Sequence, residues 1–92
     1  MNVFDERTVY SITDEFGGKS TISLDKIIAD VLQKYLPDVH VWVQTAYNRV
    51  AEKKPELGRI QKGDVVRLLA QREAEKYPEF LETWADLLGP PL

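Results

Sequence analysis

Residues 8–24 carry the apolar types of strands on either side of a Gly-Gly pair, and later apolar positions recur at three- and four-residue intervals. Thr8, Val9, Tyr10, Ser11, Ile12 and Thr13 are mostly β-branched or aromatic, Gly17 and Gly18 supply a turn, and residues 20–24 return, predicting a β-hairpin over 8–24. Side-chain parity discriminates between loop lengths. A two-residue turn at Gly17 and Gly18 pairs Ile12 with Ser23, apolar against polar. A three-residue loop of Phe16, Gly17 and Gly18 pairs Tyr10 with Leu24 and Ile12 with Ile22, and places Gly18 where a left-handed residue is wanted. The three-residue loop is the expectation.

From Leu24 the period changes. Leu24, Ile27, Ile28, Val31, Leu32 and Tyr35 predict a helix over 24–36, capped by Ser23, with Asp25 near its positive end and Pro37 as its stop. Asp38 is placed to cap a second helix over 39–54, with Val39, Val43, Ala46, Tyr47 and Val50 inward and Trp42 at the margin. After a break at 55–58, Arg59, Ile60 and Gln61 read as a short extended piece. Gly63 and Asp64 read as the start of a third helix reaching about 76. Pro78 opens a fourth, with Tyr77, Phe80, Leu81, Trp84, Leu87 and Leu88 at helical spacing, and Gly89, Pro90 and Pro91 stop it. The expected fold is α+β and mostly helical: an N-terminal hairpin, then about four short helices, in one domain spanning 1–92. Residues 1–7 read as a flexible N-terminus and 89–92 as a tail.

Composition narrows the chemistry. With no cysteine, thiolate metal sites and disulfides are excluded, and a reducing cytoplasm is the expected location. The N-terminus lacks the basic and apolar regions of a signal peptide, and no apolar run is long enough to span a membrane, so no membrane partner is expected. The net charge of -3 hides a segregation: residues 40–76 hold eight Lys/Arg against five Asp/Glu, while 77–92 hold three acids and no base. An anionic partner responds to that local potential rather than to the sum.

The second helix is the candidate reader of double-stranded DNA. The three-residue link of Leu36, Pro37 and Asp38 suits a helix-turn-helix, whose second helix enters the major groove by its N-terminal residues. His40, Gln44, Thr45 and Asn48 would then face base edges, and Arg49, Lys53, Lys54, Arg59, Lys62 and Arg67 would contact phosphates. The stretch Gly58-Arg59-Ile60-Gln61-Lys62-Gly63-Asp64-Val65-Val66-Arg67-Leu68-Leu69, after two helices, resembles the plan of small winged-helix excisionase and MerR-like regulators. Phe16-Gly17-Gly18-Lys19-Ser20-Thr21-Ile22-Ser23-Leu24-Asp25 is similar to the start of the pyocin-activator group. The resemblance covers residues 16–70 and implies a DNA-reading role for the polar face of the second helix; with the basic 40–76 segment and the order of elements, the expectation is a non-catalytic transcription regulator acting as a homodimer on paired half-sites. The chain departs from it in a long first helix, a very short wing between Lys54 and Arg59, and an acidic overall balance.

The alternative is an acidic protein-interaction module, an adaptor or small inhibitor, docking through Tyr77, Phe80, Trp84 and Leu88 of the last helix. The competing reading of those aromatics, and of Trp42, is core packing, because so small a domain needs them inside. His40, the single histidine, has no converging carboxylates and reads as a solvated first-turn residue, so no metal or other cofactor is expected. Asp5 with Glu6 and Asp14 with Glu15 are sequence neighbours rather than facing carboxylates, and the hydroxyls lack an evident base. A non-catalytic protein is the expectation.

Overall fold

A computed structural model describes residues 6–89; the remaining terminal residues, and the side chains of Trp84, Leu87 and Leu88, lie outside that description. The element order is β1 (Arg7–Thr13), β2 (Lys19–Asp25), α1 (Lys26–Tyr35), α2 (Val39–Lys53), α3 (Arg59–Ala74) and α4 (Pro78–Leu88). The expected hairpin and four helices are all present. Residues 6 and 7, expected in the flexible start, are part of the fold: Arg7 opens β1, and the Glu6 carbonyl accepts the Lys26 N–H at 3.0 Å.

The hairpin keeps the expected parity but not the expected register. Tyr10 pairs with Ile22, Thr8 with Leu24 and Ile12 with Ser20, a shift of one side-chain repeat. Inward residues therefore stay inward, and Ile12, Ile22 and Leu24 enter the core. The shift follows from a five-residue loop, 14–18, built around one carboxylate. Asp14 Oδ1 accepts the N–H groups of Phe16 (2.9 Å) and Gly18 (2.8 Å), and the Asp14 N–H donates to the Gly18 carbonyl at 2.8 Å. An Asp side chain standing in for backbone partners is a turn former in its own right. The left-handed residue is Gly17 (φ 81°) instead of Gly18. At Gly18 an added Cβ would lie 3.0 Å from Asp14 Oδ2, so the carboxylate that shapes the loop would have to shift by a few tenths of an ångström.

α1 begins two residues later than its apolar spacing predicts. Ser23 and Leu24 remain in β2, because Leu24 pairs with Thr8 and the Ser23 carbonyl accepts Arg67 Nε at 2.9 Å. Asp25 occupies the N-cap without a capping bond and lies 3.6 Å from Arg7 instead. α2 matches its pattern: Asp38 accepts the Val41 N–H at 3.1 Å, and all five expected residues are buried. The extended piece at 59–61 does not form. α3 starts there as one unbroken helix, with the Gln61 side chain accepting the Gly58 N–H at 3.0 Å. Gly63 and Asp64 lie inside it; Gly63 is buried where α3 crosses the hairpin, its nearest non-local neighbour being Ile22. In α4, Pro78 takes the first turn, where a missing N–H is harmless.

α2 packs along α3, α1 lies against α3 and α4, and the hairpin covers α2 and α3 at one side. One hydrophobic cluster draws on all six elements, from Ile12 and Ile22 through Leu32, Val43, Tyr47 and Val66 to Phe80.

Candidate interaction surfaces

The polar face of α2 is occupied in part by the molecule's own hairpin, through His40 and Gln44. In an antiparallel ribbon the outer edge of each strand leaves N–H and C=O groups unpaired. Gln44 fills that role for β1: its Oε1 accepts the Thr13 N–H at 2.8 Å, and its Nε2 donates to the Thr13 carbonyl at 2.9 Å. The carboxamide thus pairs with Thr13 as a neighbouring peptide unit would. The same Nε2 lies 2.9 Å from Asn48 Oδ1, and His40 Nε2 meets the Ser11 carbonyl oxygen, which calls for the Nε2–H tautomer. Three of the four side chains expected to face bases are therefore engaged. Thr45 is exposed and lies elsewhere, on the groove between α2 and α3.

The six cations expected at phosphates do not share a face. Lys62 is buried, only 4 % exposed. Its ammonium donates to Glu15 of the hairpin loop and approaches the Pro55 carbonyl at 3.4 Å. The other Glu15 oxygen accepts the Tyr47 hydroxyl at 2.7 Å. The Lys62 hydrogen bond, seconded by Tyr47, holds the Glu15 carboxyl down at about 2. Burial, then Glu15, pushes the Tyr47 phenol up to about 12. Arg67 is bound to the Ser23 carbonyl and, at 2.5 Å, to Asp64. Arg59 lines the same small hollow as Arg67, two helical turns away on the hairpin side of α3. Arg49 instead faces the α2–α3 groove. Lys53 and Lys54 are exposed at the end of α2, and neither makes an ion pair among the described residues.

α4 is divided between core and solvent, and its Leu81 is 58 % exposed. Phe80, one of the four candidate docking residues, is 3 % exposed and belongs to the core. Tyr77 is half-buried and stacks on Tyr35, ring centroids 4.2 Å apart and planes 4° from parallel. Tyr35, expected in the α1 stripe, is drawn out to that stack, where its hydroxyl donates to Glu79 at 2.7 Å. The Trp84 and Leu88 side chains are outside the described set.

Several large apolar side chains are exposed, Val9, Val41, Leu68 and Leu81 among them, and the two most exposed adjoin at the hairpin tip. Phe16 is 90 % exposed at the hairpin tip and Ile60 is 76 % exposed on the first turn of α3. They line one hollow of about 630 Å³ together with Pro55, Leu57 and Arg59. The Lys62–Glu15–Tyr47 network lies beside it and ties the hairpin tip to α2 and α3. Sequence signals for this site existed but were weak. Asp14 four residues before Gly18 marks a longer loop that leaves Phe16 outside the ladder, and Ile60 stands alone among polar residues, off the buried stripe of α3.

Among the described residues no three His, Asp or Glu side chains converge as a metal site, and no helix is long and apolar enough to cross a membrane. Compared with known protein families, curated proteins and solved structures, the chain finds no match.

Proposed function

We propose that this protein is a small, non-catalytic protein-interaction module of the cytoplasm, an adaptor or inhibitor that grips its partner with the hairpin tip. The observation that carries this reading is the Phe16–Ile60 pair: two large apolar side chains, more than three-quarters exposed, on separate elements that a partly buried ion pair holds together. Solitary exposed apolar residues need no explanation, but adjacent ones on a braced support match the anchors of binding surfaces. Arg59 at the rim adds a charge to orient the partner.

The test is affinity capture from a nuclease-treated lysate, wild type against a Phe16→Ser/Ile60→Ser double variant. A protein retained by the wild type and lost from the variant supports the reading. Retention that vanishes with nuclease, or is equal for both, overturns it.

Double-stranded DNA is the second reading, favoured by Arg49, Lys53, Lys54 and Arg59 having no carboxylate within 4 Å among the described residues. On it, a homodimer of the winged-helix kind would bind mainly through phosphates, because His40, Gln44 and Asn48 are engaged. Affinity would fall steeply with salt, and Arg49→Ala with Lys53→Ala would flatten that slope. No mobility shift of a duplex at low salt would reject it.

A further inference from the structure

A groove of about 640 Å³ runs between α2 and the C-terminal half of α3. Trp42, half-buried, forms part of its wall, and Thr45 and Arg49 continue that wall one turn at a time along α2. Arg72 lines the groove from α3. Of the other charges there, Lys76 and Glu73 satisfy each other at 3.1 Å, and Glu75 accepts from Gln71 at 3.3 Å. Arg49 and Arg72 have no carboxylate within 4 Å among the described residues. Two guanidinium groups, one from each helix, thus line one groove with Glu73 and Glu75, and neither is paired with those carboxylates. A guanidinium presents a planar fork of donors that fits a carboxylate bidentately, and the neighbouring indole offers an apolar face. Lys53 lies one turn beyond Arg49 on α2, beside Glu52.

We propose that this groove is a second docking site, whose occupant is an acidic segment of a partner protein, with a carboxylate at Arg49 and Arg72 and an apolar side chain against Trp42. Charge pattern selects this occupant over a nucleic acid. Duplex DNA carries one negative charge per about 1.7 Å of axis and could not keep them all clear of Glu73 and Glu75. A peptide places its acids only where the arginines are and neutral residues beside the glutamates. The site does not depend on the hairpin tip, so either can fail alone.

The experiment is an NMR titration of the ¹⁵N-labelled protein with a blocked peptide carrying two adjacent glutamates flanked by leucines. Its glutamine counterpart and a short DNA duplex serve as parallel arms. The glutamate peptide should move the Trp42 indole N–H, assigned with Trp42→Phe, and the amides of Thr45, Arg49 and Arg72. Binding should weaken about tenfold or more in Arg49→Gln/Arg72→Gln, a loss near 1.4 kcal/mol. The more severe Arg49→Glu/Arg72→Glu should abolish it, circular dichroism confirming that both variants fold. Phe16→Ser/Ile60→Ser should bind the peptide as the wild type does, which separates this site from the tip. No movement at these signals, equal binding of the glutamine peptide, or movement by the duplex at lower concentration would each overturn the proposal.

Discussion

Lys62 donates to Glu15 across a separation of 47 residues, with its side chain 5 % exposed, the most deeply buried cation in an ion pair among the described residues. A buried ammonium is tolerable only when it is paired and hydrogen-bonded. This pair therefore fixes where the hairpin loop can lie and, with it, where Phe16 points.

Removing the two partners should not have equal effects. Glu15→Ala leaves the ammonium buried without a counter-charge, whereas Lys62→Met removes the charge and keeps the apolar stem. Thermal melts should show the larger loss of Tm for Glu15→Ala. The opposite order would mean that the pair does not brace the tip.

Acid should loosen the same contact. The Glu15 carboxyl titrates at about 2 in the fold against an ordinary value of 4.5, so between those values the unfolded chain binds more protons and stability rises with pH. The contribution is complete above pH 4.5 and lost as pH falls toward 2. Glu79, lowered by Lys34 and Tyr35, adds a limb of the same sign. Urea unfolding followed across this window should give a shallower pH dependence for Glu15→Gln. An unchanged slope would remove Glu15 from the account. At the alkaline end Tyr47 acts in reverse: its raised value stabilises the fold below pH 10, an advantage lost as pH climbs to about 12.

Gly63 stands in the interior of α3 with ordinary helical backbone, and the nearest non-local atom to an added Cβ is Ile22 Cγ1 at 3.9 Å. A methyl group fits there. Gly63→Ala should therefore stabilise the protein by about 0.5–1 kcal/mol through helix propensity and a less flexible unfolded chain. A lower urea midpoint would show that α3 and the hairpin are packed more tightly than this spacing implies.

Gln44→Ala deletes both hydrogen bonds to Thr13 and reopens the edge of β1. Because the bonds are exposed and water can replace them, the loss should be about 1 kcal/mol. The clearer readout is local: amide exchange at Thr13 should accelerate more than that of buried residues in α2. A uniform acceleration would instead mean a global loss of stability.

Phe16→Ser and Ile60→Ser should each leave stability within about 0.5 kcal/mol, since neither side chain has much contact to lose. Chemical denaturation provides the check, and a larger loss would place these residues in the core rather than at a binding surface.

Much of the fold was legible because its signals are local. Val39, Val43, Ala46, Tyr47 and Val50 repeat with the helical period, and Asp38 sits where a cap belongs, so α2 reads almost to the residue. Hairpin parity reads equally well, since alternate side chains must face one core. Register does not, because it depends on how a single carboxylate, Asp14, folds the loop. The start of α3 was hidden for a related reason: Arg59, Ile60 and Gln61 carry no strong preference, and their helix is secured by Gln61 at the Gly58 N–H and by packing on α2.

The candidate surfaces were legible only as composition. A count of cations along 40–76 cannot say which side of α3 each faces, nor that Lys62 turns inward to meet Glu15. By itself the order of residues determined the elements, their inward faces and the acidic balance, all consequences of periodicity and charge that need no knowledge of neighbours. Tertiary structure alone decided that Gln44 is occupied by β1, that Phe16 and Ile60 adjoin, and that Arg49 and Arg72 line one groove. Each of those joins elements distant in sequence, and only the packing of one element on another brings such residues together.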